Sequence, residues 1–201
     1  MIQKKIRPLM PINSSLIKLY HGSPYPNIKK FEITARTRSR TDYGLGVYFT
    51  TNREQAQKWS VRGNDVTHGY VYETCLDYKL IQNGSVKLKQ FLGYDDEFID
   101  TFTQCRTYGI DPTNIKGYDI IYGIMIDSNG TEIYNACDAF AKGKISREKL
   151  KIRLKALTGA DQVCIKNNKL LKSLKIVKVE ETCVIEGRSK AQGGNIIWKK
   201  K

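Results

Sequence analysis

Runs rich in Val, Ile, Tyr and Thr recur along this chain at Ser15 to Tyr20, Val47 to Thr51, Gly69 to Leu76, Asp119 to Ile126, Gln162 to Ile165 and Leu174 to Glu180. Such β-branched and aromatic runs, set off by Gly, Pro, Asn and Asp, read as strands. Helical periodicity is scarcer. Thr51-Asn52-Arg53-Glu54 has capping-box spacing, with Thr51 as N-cap, and opens a helix through Gln55, Ala56, Gln57, Lys58 and Trp59. Phe98, Ile99, Phe102 and Cys105 recur at three-and-four spacing, which predicts a helix from Asp95 to Tyr108 with an acidic start suited to a helix N-terminus. A further helix is expected from Thr131 to Ala141, ended by Gly143. Ser146 then caps one whose apolar face is Leu150, Leu154 and Leu157, stopped at Gly159.

Strands at both ends with helices inserted between them predict an α+β domain, because regular βαβ alternation is missing. No G-x-G-x-x-G opens a helix, which argues against a Rossmann site. The organisation expected is an N-terminal extension at 1–15, one domain over 16–182 and a basic C-terminal tail at 183–201. There is no internal repeat and no long low-complexity linker.

Charge changes the picture more than length does. The 201 residues carry a formal net charge of +14, which predicts attraction to polyanions, most simply nucleic acid. The basic residues cluster at Lys29, Lys30, Arg36, Arg38 and Arg40, at Lys142 through Lys155, and at Lys199, Lys200 and Lys201. The second and third clusters read equally well as solvated surface. The five cysteines are odd in number and show no C-x-x-C spacing, so they read as reduced thiols of a cytoplasmic protein. Nothing reaches the length of a membrane span or a signal peptide, and no metal is expected.

The candidate chemistry lies in two short blocks. Gly44 and Gly46 frame a tight turn into the strand Val47-Tyr48-Phe49-Thr50, while His21-Gly22-Ser23 ends the run from Ser15 to Tyr20. Each alone reads as a turn or a solvated strand end. Together, and followed by Ala56 and Trp59, they resemble the NAD site of ADP-ribosyltransferases of the diphtheria-toxin and poly(ADP-ribose)-polymerase class. The chain is similar, more specifically, to a bacterial family of uncharacterised domains, DUF3990, through Gly117-Tyr118-Asp119-Ile120-Ile121-Tyr122-Gly123 and Asp161-Gln162-Val163-Cys164-Ile165.

The resemblance implies two small packed β-sheets with peripheral helices, and NAD as a substrate. It implies that His21 bonds the adenosine ribose, that Gly22, with Ser23 beside it, offers backbone groups to the carboxamide, and that Tyr48 and Trp59 sandwich the nicotinamide. Arg40 is expected on the cofactor, while Arg36 and Arg38 in the same loop are expected on the NAD phosphates or a nucleic-acid backbone. Two positions depart from the family pattern. Ala56 stands where a serine is common, and Gln162 stands where a glutamate holds the ribose. Glutamine bonds but takes no proton, which points to a single transfer and to a base elsewhere, with Asp161 and Asp127 as candidates that read more readily as ordinary turn carboxylates. His68 is expected in a loop.

The function expected is mono-ADP-ribosylation of a macromolecule, RNA favoured over DNA. The setting implied is a bacterial or phage toxin or anti-phage effector, with an antitoxin as a possible partner. A protein-targeting effector and a non-catalytic nucleic-acid-binding module are the alternatives. An RNA 2′-phosphotransferase shares the fold and an initial His-Gly, but its further His and Arg pattern is missing.

Overall fold

The computed structural model describes residues 5–12, 14–62, 68–127, 130–184 and 198–200. In chain order the elements are β1 (Leu16–Ser23), β2 (Val47–Phe49), α1 (Arg53–Ser60), β3 (His68–Asp77), α2 (Lys79–Gln82), β4 (Leu88–Phe91) and α3 (Asp96–Tyr108). They continue as β5 (Ile120–Asp127), α4 (Gly130–Ala141), α5 (Arg147–Arg153), β6 (Lys155–Ile165), α6 (Asn168–Ser173), β7 (Ile176–Val184) and β8 (Trp198–Lys200). The fold is α+β, with two four-stranded sheets in the orders β1-β3-β7-β8 and β2-β6-β5-β4. Pairing is antiparallel throughout the first sheet, and in the second only β4 and β5 run parallel.

The second sheet is buried on both faces. Ile120 and Tyr122 of β5 and Val163 and Ile165 of β6 pack toward Leu19, Tyr72 and Leu76 of the first sheet. Ile121 and Cys164, on the opposite face, join Phe98, Phe102, Cys137 and Leu150 from α3, α4 and α5. That arrangement accounts for the unbroken apolar run at 120–126, since a strand covered on both sides has no polar face to alternate with. An isolated antiparallel bridge between Tyr20 and Thr50, with N–H···O distances of 2.8 and 3.0 Å, joins β1 to the end of β2.

Several elements differ from expectation for identifiable reasons. The N-cap of α1 is Asn52, whose side chain accepts from the Gln55 N–H, because the Thr51 hydroxyl is drawn away to Asp161. The helix begun by Ser146 ends at Arg153 and the chain turns directly into β6, so 157 and 159 lie in a strand. β1 runs on through Ser23, which puts His21 inside the strand rather than at its end. His68 opens β3 and its Nδ1 sits 3.1 Å from Glu181 Oε1 on β7, so it is not a loop residue. The short elements β4, α2 and α6 had no signal strong enough to be read. Among the described residues no helix is long and apolar enough to cross a membrane.

The second basic cluster is in part internally compensated. Arg147 reaches Asp96 and Asp100 at the start of α3, Lys151 also bonds Asp96, and Lys142 pairs with Asp138 at 2.8 Å. Such exposed pairs add little stability, but they cancel much of the local field. The third cluster lies on β8 and beyond, where the backbone of residues 198–200 pairs with β7.

Candidate functional site

Where β1 leaves the core, its alternation carries Ile17, Leu19 and His21 along one face. His21 therefore follows Leu19 out of the apolar interior and meets the rings of Phe31 and Phe49, with centroids 5.3 and 5.6 Å away. Its Nδ1 lies 2.8 Å from the carbonyl oxygen of Tyr48 on β2. A carbonyl only accepts, so Nδ1 carries the proton and Nε2 presents a lone pair. Burial pushes the His21 pKa down, opposed by that carbonyl, and favours the neutral ring.

On the other face of β1 stands Gly22, against which α1 is laid. A Cβ there would collide with the Ala56 carbonyl oxygen, and a Cβ on Gly69 of β3 would collide with Ser60. These two glycines let the helix backbone rest directly on the sheet. Two side-chain clamps hold the helix from the other direction. Gln55 donates to the Asp161 carbonyl at 2.7 Å and accepts from the Asp161 N–H at 3.2 Å, taking both backbone groups as a neighbouring strand would. Arg53 pairs with Glu180 of β7, whose carboxyl is held down to about 2 by Lys178 and Arg53 despite burial that would raise it.

The turn before β2 is organised by Tyr48. Its hydroxyl accepts from the Tyr43 N–H at 2.9 Å, donates to the Gly44 carbonyl at 2.8 Å and lies 2.8 Å from Thr41 Oγ1. Gly44 adopts φ 74°, in the left-handed region that a glycine turn requires. Burial drives the Tyr48 pKa well above its ordinary value, so this hydroxyl is a structural pin and the residue offers a cleft its ring, not its proton.

These pieces enclose a cleft of about 570 Å³ between the sheets and α1. His21, Gly22, Tyr48, Trp59 and Gln162 all line it, although they come from β1, β2, α1 and β6. Ala56 lines it too, next to Trp59, which is 39% exposed and carries the Arg62 guanidinium 4.4 Å from its ring centroid. Arg38, Arg40, Arg62 and Arg106 reach the same wall, where Asp42 is the carboxylate among the lining residues. That imbalance gives the wall a positive field, which attracts anions.

Other expected residues fall elsewhere. Ser23 is buried and caps the following turn, its Oγ accepting from the Tyr25 N–H at 3.1 Å. Arg36 is exposed in a turn where its N–H bonds Thr34 Oγ1, outside the residues that line the cleft. The Asp161 carboxylate is buried and occupied: Oδ1 accepts from Thr50 Oγ1 at 2.6 Å and the Thr51 N–H at 2.9 Å, while Oδ2 accepts from Thr51 Oγ1 and from the Tyr122 hydroxyl at 3.3 Å. It joins β6 to the entry of α1 and has no share of the cleft wall, which leaves it a structural group rather than a base. Asp127 closes β5, and its side chain lies outside the described residues.

Other cleft residues carry no signal in the sequence. Asp42, Arg106 and Gln55 enter through contacts made far along the chain, and no local pattern marks them. Asp42 is 4% exposed; its Oδ1 accepts from Arg106 Nε at 2.7 Å and from the same guanidinium's Nη2, and its Oδ2 accepts from Gln162 Nε2. Among the described residues no cluster of three or more His, Cys, Asp or Glu is gathered as a metal site.

Compared with known families, the chain matches over residues 17–176 a family described as protein of unknown function (DUF3990). No curated protein matches it.

Proposed function

The chain belongs to the DUF3990 family, and for the cleft that its description leaves without an activity we propose the binding of NAD and the transfer of its ADP-ribose to a macromolecule. The observation that carries this reading is the convergence of His21, Tyr48, Trp59 and Gln162 on one arginine-lined wall. A neutral imidazole with a free Nε2 lone pair is an acceptor for a ribose hydroxyl. Aromatic faces at Tyr48 and Trp59 suit a flat cationic heterocycle. Arg38 and Arg40 supply charge for a pyrophosphate. Two small packed sheets with helices around them agree with an ADP-ribosyltransferase fold, which is part of the same proposal.

In the proposed reaction the bond between ribose C1′ and the nicotinamide nitrogen breaks, and its electron pair neutralises the pyridinium. An acceptor oxygen or nitrogen bonds C1′ from the opposite face and gives up its proton to solvent water. The chain's own contribution is orientation and shielding of the cationic centre. Tyr48, with its hydroxyl pinned, holds a ring in place, and Gln162 bonds the ribose without taking a proton.

The formal charge of +14 favours a nucleic-acid acceptor, RNA before DNA, and by analogy with such enzymes the setting is a toxin or anti-phage effector, neutralised by an antitoxin. A non-catalytic nucleic-acid-binding module is the second reading, favoured by Gln162. Purified protein incubated with NAD labelled in the adenylate, and with separate pools of RNA, DNA and cell protein, decides between them. Label is expected in RNA and lost in His21→Ala. Label in no pool removes the enzymatic reading, and label in protein alone removes the nucleic-acid preference.

A further inference from the structure

Gln162 does not stand alone in the cleft. Its amide has two N–H donors and one carbonyl acceptor, and the Nε2 end is spent on Asp42 Oδ2. A carboxylate only accepts, so this contact fixes which end of the amide is which. Asp42 is itself immobilised. Arg106, in the last turn of α3, grips its other oxygen, and the adjacent Tyr43 is fully buried, with its hydroxyl donating to the Ile124 carbonyl at 2.9 Å. Among the described residues no protein donor reaches Gln162 Oε1, and that atom is not among the buried polar atoms left without a partner.

We propose that Asp42, held by Arg106, is a positioning residue that turns the Gln162 carbonyl Oε1 into the cleft as the acceptor for a ligand hydroxyl. That this hydroxyl belongs to the ribose of NAD rests on the function proposed above. An N–H···carboxylate bond polarises the amide and enriches its carbonyl oxygen, because hydrogen bonds in a chain strengthen one another. Glutamine backed by aspartate thus performs the acceptor work of a carboxylate at one remove. The charge that a side chain at position 162 does not carry sits one hydrogen bond deeper, balanced by Arg106.

The surroundings keep this charge pattern simple. Tyr43, Tyr48, Cys105, Cys137 and Cys164 all interact with Asp42, and burial pushes each of them up, the thiols to about 12, 12 and 11. They remain neutral at physiological pH, which leaves the Asp42–Arg106 pair as the charged couple in contact with Gln162.

The test is an exchange of roles. Q162E sets two carboxyls against each other, and such a pair retains a proton. In the double variant D42N/Q162E the asparagine carbonyl still accepts from Arg106 and its NH₂ donates to the new carboxylate, so every group is satisfied again. A folded-state pKa raised above the unfolded value near 4.3 makes stability fall as pH rises. The melting temperature of Q162E is therefore expected to drop between pH 5 and pH 8 relative to wild type, and that of D42N/Q162E to follow wild type. NAD consumption is expected to fall at least tenfold in Q162E and to return to within about threefold in D42N/Q162E. A Q162E melting profile parallel to wild type, or no recovery in the double variant while wild type turns over, overturns the positioning role. A wild-type protein that consumes no NAD defeats the function proposed above instead, and the melting comparison then decides the Asp42–Gln162 pair by itself.

Discussion

His21 Nδ1 donates to the Tyr48 carbonyl at 2.8 Å, tying β1 to β2 where both line the cleft. One contact thereby sets both the tautomer of the imidazole and its tilt. Burial lowers the His21 pKa below its ordinary 6.5, so on acidification the unfolded chain takes up the proton first. Stability is fully present above about pH 6.5 and is lost as pH falls below it, down to the folded pKa. Melting temperatures between pH 5 and 8 are expected to decline toward the acid end in wild type and to flatten in His21→Asn. Equal slopes in the two proteins contradict a neutral buried ring. Binding of NAD is expected to weaken only at the acid end of that range, where the folded ring itself takes up the proton, and about tenfold in His21→Ala at neutral pH.

Gly22 makes a different prediction, one about backbone distance. Its missing Cβ is replaced by the Ala56 carbonyl, with Ser60 N 2.9 Å from where a Cβ would stand. Neither atom belongs to a flexible side chain, so Gly22→Ala must lift α1 from the sheet at about 1–3 kcal/mol. Gly93→Ala is the control, since its Cβ meets only Lys5 Cγ at 3.9 Å. Urea unfolding midpoints are expected to fall in the first variant and to stay within error of wild type in the second.

How far the sequence reveals the site depends on what each residue's role is made of. His21, Tyr48 and Trp59 are legible through the resemblance that their short blocks carry together, and all three line the one cleft. Asp42, Arg106 and Gln55 are not legible. Their partners lie 64, 120 and 106 positions away, and an aspartate before Tyr-Gly reads as an ordinary turn residue. The same limit explains the elements. The run at 120–126 announces a strand because both faces are buried, whereas Leu150, Leu154 and Leu157 continue a helical period across a point where the chain turns into β6. The N-cap of α1 moved by one residue because Asp161, a distant carboxylate, outcompeted the local use of the Thr51 hydroxyl.

The arginine wall predicts a selective loss. Arg38 and Arg40 reach the cleft from an exposed segment, so removing them leaves the core untouched. Arg38→Ala with Arg40→Ala is expected to weaken ADP-ribose about tenfold and adenosine less than twofold, because only the former carries the pyrophosphate. Raising the salt concentration should narrow the difference, as exposed charges are screened. Titration calorimetry with both ligands reads this directly, and equal losses for the two assign the arginines to some other contact.

Asp161 and Gln162 are neighbours on β6 with opposite duties, and the contrast between them is the sharpest test of which one faces chemistry. Asp161 accepts from Thr50, Thr51 and Tyr122 inside the fold, while Gln162 lines the cleft. In Asp161→Asn one oxygen can still serve the Thr51 N–H, but the new NH₂ confronts hydroxyls that had been donating. The cost is about 1–3 kcal/mol of stability, with NAD consumption by the folded protein within about twofold of wild type. Gln162→Ala, which takes the amide donor from Asp42 Oδ2, is expected to cost stability of the same order but, unlike Asp161→Asn, to lose turnover at least tenfold. Both readouts come from the same preparations, one by denaturant titration and one by NAD consumption below the melting temperature. A folded but inactive Asp161→Asn moves the base to Asp161, and a fully active Gln162→Ala removes Gln162 from the site.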